Sequence, residues 1–145
     1  MNLVRKFGAA TILLAGVLAA PQALLAAGGE APQPIDTTGL KPLGNTWLKE
    51  NPYRGNPLAI KIGHTGYDEN CARCHGIGAV SGGISPDLRK LDPGKDGDEW
   101  FIHRARLGSA KDGRILMPKF EGVVSQEGLW AIRSWLDTLP PPDDN

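Results

Sequence analysis

The residues Cys71-Ala72-Arg73-Cys74-His75 place two thiols and an imidazole within five positions. Thiols add across the two vinyl groups of a haem, and two intervening residues at a helix end set both sulfurs on one side of the chain. A histidine directly after the second cysteine then lies beneath the iron and supplies an axial nitrogen. The pattern therefore points to one haem c held covalently through Cys71 and Cys74, with His75 as an iron ligand. Two other chemistries use the same residue types. A redox-active dithiol needs a strand–helix–strand setting that this sequence does not suggest. A structural zinc needs four ligands, and beyond the motif only His64 and His103 remain, with no further cysteine.

The second axial ligand is expected to be Met117, the sole methionine apart from Met1. Pro118 follows it and stiffens the loop that presents its sulfur. Thioether ligation favours ferrous iron, raises the potential relative to two histidines, and closes the open coordination position. The remaining task is to accept and pass on one electron. His64 and His103 are the competing ligands, and each is expected on a solvated helix face. Pro86, within Ile84-Ser85-Pro86-Asp87-Leu88, is expected to offer its carbonyl to the free ring N–H of His75 and so fix the ring. Arg73, Arg114 and Lys119 flank these residues and read as solvated charge. The stretch from Asp92 to Glu99 lacks the ligand register of a calcium loop and reads as an acidic surface turn.

These side chains need elements to position them. Pro57 suits the first turn of a helix, and Ile60, Gly63, Tyr67, Cys71 and Cys74 follow at helical spacing, so this face turns inward and ends at the motif. Ser125 can cap a last helix whose apolar stripe is Leu129, Ile132, Leu136 and Leu139, ending at Pro140. Gly63 predicts a close helix crossing, with Trp135 leaning over it. Asp98 to Leu107 reads as a shorter helix stopped by Gly108. The rest is expected to be loop, with no run long enough for a sheet.

The ends of the chain read differently. Arg5 and Lys6 precede an apolar run from Phe7 to Ala20, and small residues follow at Ala23, Ala26 and Ala27. This is the layout of a secretory signal peptide, and the run is too short to span a bilayer. Removal of residues 1–27 takes two basic residues and no acidic one from totals of 16 and 16, leaving 14 and 16. That balance argues against a nucleic-acid partner. Residues 28–56, rich in glycine and proline, read as an extended arm. Its first dozen residues are expected to be mobile, with Trp47 and Tyr53 able to pin the later part. Residues 57–140 then form the domain, and 141–145 a short tail.

With the haem motif, the Met117-Pro118 loop and the terminal helix together, the segment from Leu58 to Leu139 resembles the class I cytochrome c domain. Within that class the chain is similar to the periplasmic cytochromes c associated with quinoprotein alcohol dehydrogenases, which use pyrroloquinoline quinone (PQQ). That likeness is carried by Asn51-Pro52-Tyr53-Arg54-Gly55-Asn56-Pro57, Ala79-Val80-Ser81-Gly82-Gly83-Ile84 and Gly97-Asp98-Glu99-Trp100-Phe101-Ile102. The resemblance implies an all-α fold of three main helices around one haem, and a periplasmic electron carrier rather than an enzyme. It also implies a quinoprotein alcohol dehydrogenase as donor and a terminal oxidase or another cytochrome as acceptor. A monomer without a membrane span is expected. A cytochrome subunit of a dehydrogenase complex, and a haem-based sensor or peroxidase-like protein, are the alternatives.

Overall fold

The structure is a computed structural model that describes residues 31–142. The expected signal peptide therefore lies outside the described residues. Three long helices and one short one account for most of the regular structure.

Helix α1, Pro57–Asn70, starts where Pro57 costs no hydrogen bond and the Asn56 side chain accepts from the N–H groups of Leu58 and Ala59. Its buried positions are Ala59, Gly63, Gly66 and Tyr67, spaced to form one stripe. Helix α2, Ala72–His75, follows almost without a break and consists of the motif itself. Helix α3, Gly94–Leu107, begins four residues before the expected start, because the chain turns helical directly after Pro93. Helix α4, Gln126–Leu136, is capped by the Ser125 hydroxyl, which accepts from the Gly128 N–H at 3.1 Å. It ends before Pro140, and from Gly128 to Leu136 every residue is buried.

The main helix–helix contact is α1 on α4. Gly63 lies at that crossing, where an added Cβ would stand 1.9 Å from the Ala131 carbonyl oxygen. The residue facing Gly63 is thus Ala131, through its backbone, and not Trp135 as expected. Trp135 lies further along, stacked on His64 with ring centroids 4.9 Å apart and packed on Tyr67 at 4.6 Å. Two helices this close leave no room for an indole between them.

Two expectations need correction. The chain is not purely helical: β1, Ser109–Lys111, and β2, Arg114–Met117, pair antiparallel. Asp112 and Gly113 join them, both at positive φ, which is the twist that two-residue hairpins require. The region from Asp92 to Glu99 is mostly the first turn of α3 rather than a surface turn. Within it Asp98 is buried and accepts from Arg133 at 2.8 Å and from Arg54 at 2.6 Å.

The arm is docked well before Trp47. The Gln33 N–H donates to the Asn70 side chain, Ile35 packs near Gly66 and Gly128, and Leu40 is buried. Gln126 then bonds the backbone at Gly44, Thr46 and Leu48, and Glu127 accepts from Leu43. Asn51, buried, donates its N–H to Asp98 and its side-chain amide to Ser134. Tyr53 is buried as expected and donates its hydroxyl to the Lys41 carbonyl. The arm thus runs beside α1 at Gln33 and Ile35 and is then strapped across α4.

Candidate functional site

Where α1 gives way to α2, the Cys74 and His75 N–H groups both donate to the Cys71 carbonyl, at 3.1 and 2.9 Å. This one tight turn fixes the spacing of both sulfurs and the imidazole. Tyr67 braces it from α1, donating its hydroxyl to the Gly76 carbonyl at 2.7 Å. Burial raises the Tyr67 hydroxyl well above its ordinary value, so it remains a donor across the working pH range.

His75 is 8% exposed, and its Nδ1 lies 2.8 Å from the Pro86 carbonyl. A carbonyl only accepts, so Nδ1 carries the proton and Nε2 keeps its lone pair. The loop offering that carbonyl is itself held. Asp87 caps the 3-10 turn Leu88–Lys90 and takes a two-point contact from Arg89, at 3.0 and 2.7 Å. The Arg89 hydrogen bond holds the Asp87 carboxyl down to about 2.

Cys71, Cys74, His75 and Met117 all line one cleft of about 740 Å³, counting its open mouth. Arg73 also lines it. Leu129 and Ile132 of α4 contribute from one side and Trp100, Phe101, Arg104 and Ala105 of α3 from another, with Leu88, Leu116, Pro118, Phe120 and the polar Asn70 and Ser85 completing it. Arg114 and Lys119 are exposed and do not line it. His64 and His103 lie outside it on exposed faces of α1 and α3. The contribution of α3 was not anticipated, although Trp100, Phe101, Arg104 and Ala105 have the spacing of one helix face. The Arg104 guanidinium lies 5.6 Å from the Trp100 ring centre, so the charge rests on an aromatic face rather than an acid.

The donor set and the lining fit a haem. An imidazole with a free nitrogen, a thioether, two cysteines and mostly apolar walls converge on one open cleft, the donor chemistry that a covalently held haem needs. They fit the other two chemistries less well. Burial, then the neighbouring Cys74, pushes the Cys71 thiol up to about 12, opposite to the lowered value of a reactive dithiol. No three His, Cys, Asp or Glu side chains cluster as a metal site among the described residues.

Residues 58–136, over half of the chain, match the family described as "Cytochrome C oxidase, cbb3-type, subunit III". The chain belongs to the cytochrome c family. It is 51% identical over 132 residues to cytochrome c550 of Pseudomonas aeruginosa, covering 88% of this chain and 90% of that one. Over 80 residues this cytochrome is 41% identical to quinohemoprotein alcohol dehydrogenase ADH-IIG of Pseudomonas putida. Over 85 residues it is 29% identical to quinohemoprotein alcohol dehydrogenase ADH IIB of the same species. It spans 54% and 59% of its own length in these matches but only 10% and 12% of the dehydrogenases. No solved structure matches the chain. As a cytochrome c it is an electron-transfer protein, not an enzyme, and the family's cofactor is haem c. Among the described residues no helix is long and apolar enough to cross a membrane.

Proposed function

We propose that this cytochrome is an exported carrier of single electrons with a class I fold and one haem c. Cys71 and Cys74 hold the haem as thioethers, and His75 and Met117 ligate its iron. The observation that carries this reading is the convergence of all four residues on one apolar cleft. The haem, once bound, supplies one-electron exchange at iron. The chain's own part is positional: Pro86 fixes the imidazole by its carbonyl, and the α3 and α4 side chains exclude water. A dry, apolar surround disfavours the extra charge of ferric iron and raises the potential.

The donor is a PQQ-dependent alcohol dehydrogenase, and the acceptor a downstream cytochrome or terminal oxidase. The likeness to a segment of two quinohemoprotein alcohol dehydrogenases supports that pairing, as do the segments around Asn51, Ala79 and Gly97. The apolar leader at residues 1–27 supports a periplasmic location. To test this, oxidised protein is mixed with a purified quinoprotein alcohol dehydrogenase and its alcohol, and haem reduction is followed. Rapid reduction that requires both enzyme and alcohol is expected; none across a panel of such enzymes removes the pathway while leaving the carrier.

The same likeness favours a second reading, a subunit held in a dehydrogenase complex, since those relatives carry the matching segment within a far longer dehydrogenase chain. Co-purification with a dehydrogenase at fixed ratio is the outcome that would establish it.

A further inference from the structure

Gly108 lies where α3 ends and β1 begins, at φ +68° and ψ −156°. That backbone region is essentially restricted to glycine. A Cβ at this position would stand 2.4 Å from the Met117 carbonyl oxygen, 2.7 Å from the Pro118 carbonyl carbon and 2.8 Å from the Lys119 nitrogen. All three are backbone atoms, so none can swing aside as the tip of a flexible side chain does. The same segment is tied to α3 just beyond. The Phe120 N–H donates to the Ala105 carbonyl at 3.0 Å and the Glu121 N–H to the Arg106 carbonyl at 3.3 Å. On its other side Met117 pairs with Ser109 beside a register irregularity in the hairpin. The Met117 backbone is thus pressed onto the end of α3 with room for a hydrogen and no more.

We propose that Gly108 is the positioning residue for Met117. Lacking a side chain, it lets the Met117–Lys119 backbone close onto α3 and so sets the reach of the thioether into the cleft. This rests on the reading of Met117 as the sixth iron ligand. A side chain at 108 displaces the strand and carries the sulfur with it.

Gly113, at the tip of the same hairpin, supplies the control. It also has positive φ, at +75°, but an added Cβ there meets nothing within 4 Å. Alanine at either site strains the backbone, and only at 108 does it collide with the ligand segment. Wild type, Gly108→Ala and Gly113→Ala are prepared as holoproteins and compared by the near-infrared methionine-to-ferric-iron band, the reduction potential and carbon monoxide binding. Wild type and Gly113→Ala are expected to share band and potential. Gly108→Ala is expected to lose most of the band, to have a lower potential and to bind carbon monoxide when reduced.

A full band in Gly108→Ala, equal to that of Gly113→Ala, overturns the proposal. A wild type without the band overturns the assignment of Met117 itself, and this proposal with it. Should Gly108→Ala lose its helical circular dichroism, the wild type decides through amide exchange in graded denaturant. Band loss and opening of the Phe120 N–H are then expected together, and band loss with Phe120 still protected counts as refutation.

Discussion

Asp98 and Arg133 meet at 2.8 Å with each side chain 2% exposed, joining α3 to α4 beneath the arm. Arg54 and the Asn51 N–H reach the second Asp98 oxygen from the arm, and Arg133 also donates to the Asp92 carbonyl. Removing one member of such a buried pair costs about 3–5 kcal/mol where the other charge is left alone; Asp98 keeps Arg54 and the Asn51 N–H, so the lower end of that range applies. Arg133→Leu is expected to destabilise the holoprotein by that order in a denaturant titration. An unchanged midpoint would show that the cluster contributes nothing net.

The same cluster contributes to the acid response through two carboxyl groups shifted in opposite directions. Burial pushes Asp98 up, but hydrogen bonds from Arg133, Arg54 and the Asn51 N–H outweigh it, so Asp98 lies below its ordinary value. Its stabilisation is full above the unfolded value and is lost as pH falls through the lowered folded one. Burial of Asp137 is only partly offset by Arg133 and Arg54, so its carboxyl lies above its ordinary value. Asp137 therefore costs stability at neutral pH, and that cost disappears on acidification. Melting temperatures are expected to hold or rise slightly as Asp137 protonates above the ordinary carboxyl range, and to fall below about pH 4, where Asp98 loses its stabilisation. In Asp98→Asn the acid decline should shrink.

At the crossing of α1 and α4, Gly63→Ala drives a methyl into the Ala131 backbone. The expected cost is at least the roughly 1–3 kcal/mol of an overpacked core. Gly82→Ala, where an added Cβ meets nothing within 4 Å, should stay within about 0.5 kcal/mol of wild type. Comparable losses in both would mean that the crossing is not the tight point.

Met117→Ala removes the proposed sulfur ligand while leaving His75 and its Pro86 contact in place. A high-spin ferric spectrum, a lower potential and carbon monoxide binding to the reduced form are expected. A low-spin spectrum with the methionine band intact would exclude Met117 as ligand.

What was legible in the sequence follows from how local each signal is. Pro57, Ser125 and Gly108 mark helix ends through their own backbone chemistry, and the structure has ends at all three. The Asp112-Gly113 turn was equally local, a two-residue hairpin signal, but only short strands flank it and it went unread. Asp98 looked like one acid of a solvated run; its partners lie at Arg54 and Arg133, and no local pattern reveals a buried pair. The same applies to the arm. Glycines and prolines from 28 to 57 suggest an extended path, but not that Gln126 and Ser134 of α4, and Asp137 just beyond its end, wait for it. Among the candidate site residues, the five-residue motif was legible because its spacing is local. The α3 wall was not, since Trp100 and Phe101 gain meaning only once α3 is set against the motif.

The strap across α4 also orders events in time. Leu43 takes its partner from a residue 84 positions ahead and Asn51 from one 83 ahead. For a chain made and threaded from its amino end, the arm emerges first and its seat last. Closing loops of that span is slow compared with forming helices. The arm therefore finds its seat only once α4 has been made, and the part of α4 that it covers stays open to solvent until then.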